Sequence, residues 1–364
     1  MPEGLEIAFF GSSLVSSWWN GAATYYRGLV RGLHALGHRV TFYEPAAFGR
    51  QEHRDIDDPK YAEVVVYPAE SAAQVRAVVE RAACADVVVK ASGVGVFDSV
   101  LEEAVADAGE AGTVRIFWDV DAPATLAVLE AGQGQPLRSV LDRFDVVLTY
   151  GGGEPVVRRY LALGARNCVT VYNGLDPATH HRVAPDPNLS ADCALLANRL
   201  PDREDRIDEF FFRAARLAPR CRFVLGGNGW EDKTLPPNVR RVGHVPTADH
   251  NRFNCSARTV LNVTREAMAA VGWSPPTRVF EAAGAGACLI TDRWLGIEAF
   301  FEPARELLVA RDGREVADLL ATTSPAGAAA IGRRAEQRAR AEHTYAQRAA
   351  LVDRLLRSRV ALAR

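Results

Sequence analysis

"WSPPTRVFEAAGAGACLITD", residues 273–292, holds a helix start, a tight hand-over and a buried strand within twenty residues. Pro275 and Pro276 stop any preceding element and pre-set the first helical turn, so a helix is predicted over about 276–286. The small run Ala282–Ala287 lets that helix lie close to the strand "ACLITDR" that follows it. Arg278 and Glu281 stand one turn apart at the helix start, where free backbone N–H groups and the positive end of the helix dipole favour an anion.

Outward from this unit the same alternation repeats. Downstream of residue 176 the strands "ADCALLAN", "CRFVLGGNGW", "VRRVGHV", "RTVLNVTR", "ACLITDR" and "ELLVARD" are separated by helices predicted at about 204–217, 247–254, 276–286 and 296–301. Upstream, "LEIAFFG", "HRVTFYEP", "DVVVKAS", "VRIFWD", "FDVVLTY" and "CVTVYN" alternate with helices at about 21–36, 70–82 and 97–108. Strands spaced by helices imply parallel βαβ crossovers, hence two doubly wound α/β sheets. "NGLDPATHHRVAPDPNLS" lies between them without periodicity. The expected domains are 1–172, 173–345 and a C-terminal helix, 346–364, packing back on the first domain, with a ligand site in the cleft between the two large domains. From about 325 onward the chain reads as helical and rich in arginine, either a solvated face or a surface for an anionic acceptor or partner.

At 364 residues, with 48% hydrophobic and 24% charged residues, the composition is that of a soluble globular protein, and no apolar run is long enough to span a bilayer. The start "MPEGLEIAFFG" has no signal-peptide pattern, which predicts the cytoplasm. Six scattered cysteines without C-x-x-C spacing read as reduced thiols. A net charge of −2 gives no reason to expect nucleic acid.

The loop after the first strand, "SSLVSSWWNGAATYY", leads into a helix through Gly21, where backbone N–H groups can approach a substrate or phosphate. It lacks the G-x-G-x-x-G fingerprint, which argues against a dinucleotide. Trp18, Trp19, Tyr25 and Trp118 are candidates to stack on an acceptor. Asp119 and Asp121, at the end of "VRIFWDVD", are candidates for general base or for gripping a sugar; Asp121 can equally cap the turn before Pro123. Asn198, Arg199 and Arg203 follow the first strand of domain two, where fixed cations suit a diphosphate or, alternatively, pair with Asp202, Glu204 and Asp205. Gly227, His244 and Val245 close the next two strand ends. Glu281 is either a ligand contact or simply the partner of Arg278.

"WNGAATYYRGLVRGLHALGHRVTFYEP", "VYNGLDP", "FVLGGNGW", "RVGHVP" and the stretch quoted first, taken in that order, resemble GT-B glycosyltransferases, more closely the CgeB-like, spore-maturation-type branch. The resemblance covers nearly the whole chain and is most specific between about 195 and 310. It implies a GT-B fold, two Rossmann-like domains, and transfer of a sugar from a nucleotide-diphosphate donor, UDP favoured, to a small-molecule or glycan acceptor. By it Glu281 binds the ribose, Arg199, Arg203 and Arg278 the diphosphate, Gly227, His244 and Val245 the base side, and Gly21 the donor phosphates. No cofactor or metal is expected, "DVD" at 119–121 notwithstanding, and retention of configuration is favoured over inversion. Trp273 departs from the family: many retaining members have a first glutamate there, eight positions before the second. A non-catalytic sugar-nucleotide-binding protein, and an epimerase or phosphorylase on the same fold, are the alternatives.

Overall fold

A computed structural model describes residues 4–363. The chain forms two compact units, one comprising the residues up to Tyr172 and those from Tyr345 onward, the other Asn173–Thr344. The first unit contains β1 (Glu6–Phe10), β2 (Arg39–Pro45), β3 (Glu63–Tyr67), β4 (Val87–Ala91), β5 (Val114–Asp119), β6 (Val146–Thr149) and β7 (Cys168–Thr170). All pairings are parallel, in the order β3-β2-β1-β4-β5-β6-β7. The second contains β8 (Ala191–Leu196), β9 (Phe223–Gly226), β10 (Val239–Gly243), β11 (Ala257–Asn262), β12 (Cys288–Asp292) and β13 (Leu308–Ala310). These are also all parallel, in the order β10-β9-β8-β11-β12-β13, the doubly wound Rossmann order.

Central strands are buried on both faces, as parallel strands covered by helices must be; every residue of β4 and β12 is buried. β3 lies outside the strands expected from the sequence. It is an edge strand, half-exposed over most of its length, and Glu63 and the exposed Val66 give it no continuous apolar run. The helix expected at 204–217 is interrupted by a π turn, Asp208–Phe212, between helices Pro201–Ile207 and Arg213–Leu217. The extra residue per turn allows Phe210, Phe211 and Phe212 all to enter the core, which regular helical spacing cannot do.

The C-terminal region is two helices, Pro325–Glu342 and Tyr345–Ala363, broken at His343 and Thr344. His343 Nε2 bonds Phe300 O at 2.9 Å, and its backbone oxygen accepts from Leu175 N at 2.6 Å. The last helix belongs to the first unit. Tyr345, Ala349, Val352, Leu356 and Val360 join the same apolar core as Tyr25, Leu29 and Leu33 of helix Ala23–Ala35. Each Val or Leu among them contributes about 1.5–3 kcal/mol on burial. The two helices approach closely because Gly28 and Gly32 face Tyr345 and Ala349; a methyl group on Gly28 would lie 2.1 Å from the Tyr345 ring. His38 fixes the register, accepting from Leu5 N at Nδ1 (3.1 Å) and reaching Asp353 Oδ1 through Nε2 (2.8 Å).

Candidate functional site

In the second unit the strand order reverses between β8 and β11, where a doubly wound sheet opens for a ligand. The β8 and β9 ends are laced together: Ala197 N donates to Gly226 O at 2.9 Å, Asn228 N to Asn198 Oδ1 at 3.0 Å, and Arg199 N to Asn228 O at 2.9 Å. Gly227 makes this possible. Its φ is +119°, and a side chain there would put Cβ 2.1 Å from Ala197 O. Gly227 N donates to Gly243 O at 2.7 Å, so the β10 end joins the same rim, with His244 exposed and Asn228 Nδ2 3.4 Å from its Nδ1. Val245 lies over Gly226.

The arginines expected to face a diphosphate separate into two kinds. Arg199 donates to Glu204 through Nε and Nη2 (2.8 and 2.7 Å) and to Asp232 through Nη1 (2.7 Å), which raises its pKa. It therefore braces the loop through two carboxylates. Arg203 has no carboxylate in ion-pair range among the described residues. Its Nη2 donates to Asn198 O at 2.8 Å, while its buried Nε has no partner. Burial pulls its pKa down to about 10, with Arg265 and Arg278 adding repulsion. Arg278, by contrast, is paired: Nη1 lies 2.9 Å from Glu281 Oε2, while its buried Nε makes no hydrogen bond. Both guanidiniums keep a buried Nε–H without a partner, a chemistry suited to accepting an anion.

Helix Thr277–Gly284 presents its N-terminus without a side-chain cap. The lead-in is rigid and strained. Trp273 has φ +50°, a left-handed conformation that costs a bulky residue about 1–3 kcal/mol and clusters at functional sites. It is held by Trp273 N donating to Leu295 O at 2.6 Å and by its ring lying against Gly296, while Asn173 Nδ2 donates to Pro275 O at 2.8 Å.

Glu281 is buried, its side chain 4% exposed, and meets two histidines besides Arg278. His180 Nε2 is 4.0 Å from Oε1, and His250 Nδ1 is 3.9 Å from Oε2. Burial lowers both imidazole pKa values, that of His250 to about 3 with Arg278 assisting, so both rings are neutral at pH 7. Sequence reading missed these histidines. His180 stands in the aperiodic linker and His250 in a short polar helix, and only the fold brings them to Glu281.

Three of the residues expected at a site in the first unit are buried. Tyr25 and Trp118 are core residues, 1% and 2% exposed; Trp118 Nε1 donates to Tyr25 Oη at 2.9 Å, which donates to Val171 O at 2.7 Å. They do not line an acceptor surface, because both lie on the buried faces of their helix and strand. Asp119 is fully buried and accepts from Ser92 Oγ (2.7 Å), Asp121 N (2.9 Å), Thr125 Oγ1 (3.0 Å) and Tyr160 Oη. These four bonds, three on Oδ1 and that of Tyr160 on Oδ2, tie β5 to its neighbours and turn the carboxylate into the core. Asp121 is half-buried at the start of helix Ala122–Glu130 and keeps the carboxylate role open.

Gly21 is exposed, with nothing within 4 Å of where a Cβ would be. The loop before it is fixed by Asn20, whose Nδ2 donates to Ser13 O and Ser16 O at 2.9 Å, and by Asp55, which binds Ser17 and Arg27. Trp18 stacks on His53 with centroids 4.1 Å apart, and Trp19 is 49% exposed. These two remain the aromatic surface of the loop.

Among curated proteins no sequence match is found. Solved structures give matches over nearly the whole chain. A sucrose-phosphate synthase from Thermosynechococcus elongatus superposes with a TM-score of 0.73 at 15% identity, covering 98% of this chain and 100% of that one. HepE from Anabaena in complex with UDP-glucose gives 0.70 at 15% identity, covering 97% and 100%. An alpha-glucosyltransferase in complex with UDP and a 13-mer DNA gives 0.67 at 9% identity, covering 97% and 99%. The chain thus has the GT-B fold of these proteins, and its residues 203–354 match the family model described as glycosyl transferase-like.

Proposed function

We propose that the protein is a glycosyltransferase that moves a sugar from a UDP-sugar to a small-molecule or glycan acceptor, within the CgeB-like branch. The observation that carries this reading is the pair Arg203 and Arg278 at the strand ends of the second unit, each with a buried Nε that makes no hydrogen bond. A departing nucleoside diphosphate needs fixed positive charge that is already in place when the bond breaks. Arg203, Arg278 and the uncapped start of helix Thr277–Gly284 supply it without a divalent metal at the diphosphate. Glu281 takes the ribose hydroxyls, releasing Arg278 toward phosphate. Gly227, His244 and Val245 form the base side. The UDP-bound structural relatives and the glycosyl transferase-like match support this donor class. Retention of configuration is the preferred outcome, although Trp273 occupies the place of the first glutamate.

In the first unit Asp121, Trp18 and Trp19 are proposed for acceptor or transferring sugar, and Gly21 for approach of backbone to the donor phosphates. The net charge of −2 favours a neutral or small acceptor over nucleic acid. The test is a thermal-shift panel of UDP, GDP, ADP and dTDP. A ligand at 100 times its Kd stabilises by about 2.7 kcal/mol. UDP should give the largest shift, and Glu281→Ala should remove most of it; no shift with any nucleotide refutes the donor reading.

A further inference from the structure

His180, His250 and Glu281 offer one ligand atom each, all within 4.8 Å of one another. His180 is 1% exposed, and neither of its ring nitrogens has a hydrogen-bond partner; His250 Nδ1 is likewise buried and unpartnered. Buried polar atoms left without partners are costly, so an arrangement that turns two imidazoles toward one carboxylate implies something that binds all three. The arrangement is built, not incidental. The chain before and after His180 is docked on helix His250–Ser256: His181 N donates to Asn251 Oδ1 at 3.1 Å, Asn251 Nδ2 to Thr179 O at 2.8 Å, and Asp186 N to Ser256 Oγ at 2.7 Å. Gly284, one turn beyond Glu281, admits the His180 backbone, since a Cβ there would lie 2.7 Å from His180 O.

We propose that His180, His250 and Glu281 bind one divalent transition-metal ion of the Zn2+ class. Two imidazoles and a carboxylate select such an ion over Mg2+ or Ca2+, which take oxygen ligands. Metal–ligand bonds of about 2.0–2.1 Å place neighbouring ligand atoms of a tetrahedral ion roughly 3.4 Å apart. His180 Nε2 stands 4.0 Å from Oε1 and His250 Nδ1 3.9 Å from Oε2, so the imidazoles face different oxygens of one carboxylate and the three side chains draw inward when they close on one ion. Arg278 on Oε2 is the outer partner that orients a ligating carboxylate. The ion has no part in sugar transfer, and because it uses the carboxylate assigned above to the ribose, ion and nucleotide compete.

The test uses the full chain. Zn2+ is titrated in competition with a chromophoric chelator, and Co2+ is followed by its visible absorption. One equivalent of Zn2+ should bind, and His180→Gln and His250→Gln should each weaken it by at least roughly a hundredfold, more than loss of an outer partner costs. Circular dichroism checks that each variant is folded; Glu281→Gln, close in shape, serves if a histidine variant is not. The Co2+ spectrum should lack thiolate charge transfer, which excludes the six cysteines. Absence of stoichiometric binding, binding unchanged in all folded variants, or a thiolate band overturns the site. Zn2+ that stays bound under saturating UDP upholds the ion site and overturns the ribose role of Glu281, so the two readings fail separately.

Discussion

Replacing Arg203 with glutamine should make the ligand-free protein more stable while making it bind UDP worse. Shielding of the guanidinium from water, aided by repulsion from Arg265 and Arg278 and opposed by Asp202 and Asp292, holds its pKa down to about 10. A depression of that size corresponds to about 3 kcal/mol against the charged form in the folded state. The penalty applies wherever the group is charged both folded and unfolded, and it fades as pH rises through about 10. Glutamine removes the charge but also the Nη2 bond to Asn198 O, worth about 1 kcal/mol. The net expectation is a gain of about 1–2 kcal/mol, seen as a rise in the second unit's thermal midpoint of about 2–8 °C. A charged hydrogen bond to phosphate is worth about 1.5–3 kcal/mol, so the Kd for UDP should rise roughly 10- to 150-fold. Calorimetric titration with UDP and thermal denaturation at pH 7.5 read both quantities. A variant that melts lower and binds UDP unchanged would make Arg203 a structural residue and refute the reasoning.

Asp119→Asn places an amide among four donors and should destabilise the first unit by about 2–4 kcal/mol, measured by urea denaturation, without specifically lowering kcat in the folded fraction. A large kcat loss at unchanged stability would restore it as a base. Glu102 has its pKa raised to about 7 by burial, with Lys90 opposing. Because the folded value lies above the unfolded one, its contribution is fully present below about pH 4 and lost as pH rises through about 7, by at most about 3 kcal/mol. Glu102→Gln should flatten the fall in stability between pH 5 and 8; an unchanged slope would remove Glu102 as its source.

The strands were legible wherever a β-branched run is continuous, because a parallel strand covered on both sides must be apolar throughout; β12 "CLITD" and β4 "VVVKA" are such cases. β3 escaped because an edge strand need not obey that rule. The π turn at 208–212 escaped because nothing local distinguishes "DEFFF" from a regular helix; only the need to bury all three phenylalanines does. Within the site, the sequence indicates which arginines stand at a strand end but not which are already paired. Glu204 and Asp232 claim Arg199 and leave Arg203, a choice made by side-chain geometry across 33 positions of chain. Tyr25 and Trp118 failed as surface aromatics for the same reason that large rings usually do, since burying them stabilises more than exposing them.

The placement of helix Tyr345–Ala363 fixes an order for biosynthesis. On the ribosome, residues up to Tyr172 emerge first, yet one wall of their core, Tyr345 to Val360, is translated last. Asn173–Thr344 can complete its own sheet while the earlier-made unit still waits with Tyr25, Leu29 and Leu33 uncovered. The unit that starts earlier along the chain is therefore closed later, and a chain that stops at Thr344 leaves an aggregation-prone apolar face uncovered although its second unit is complete.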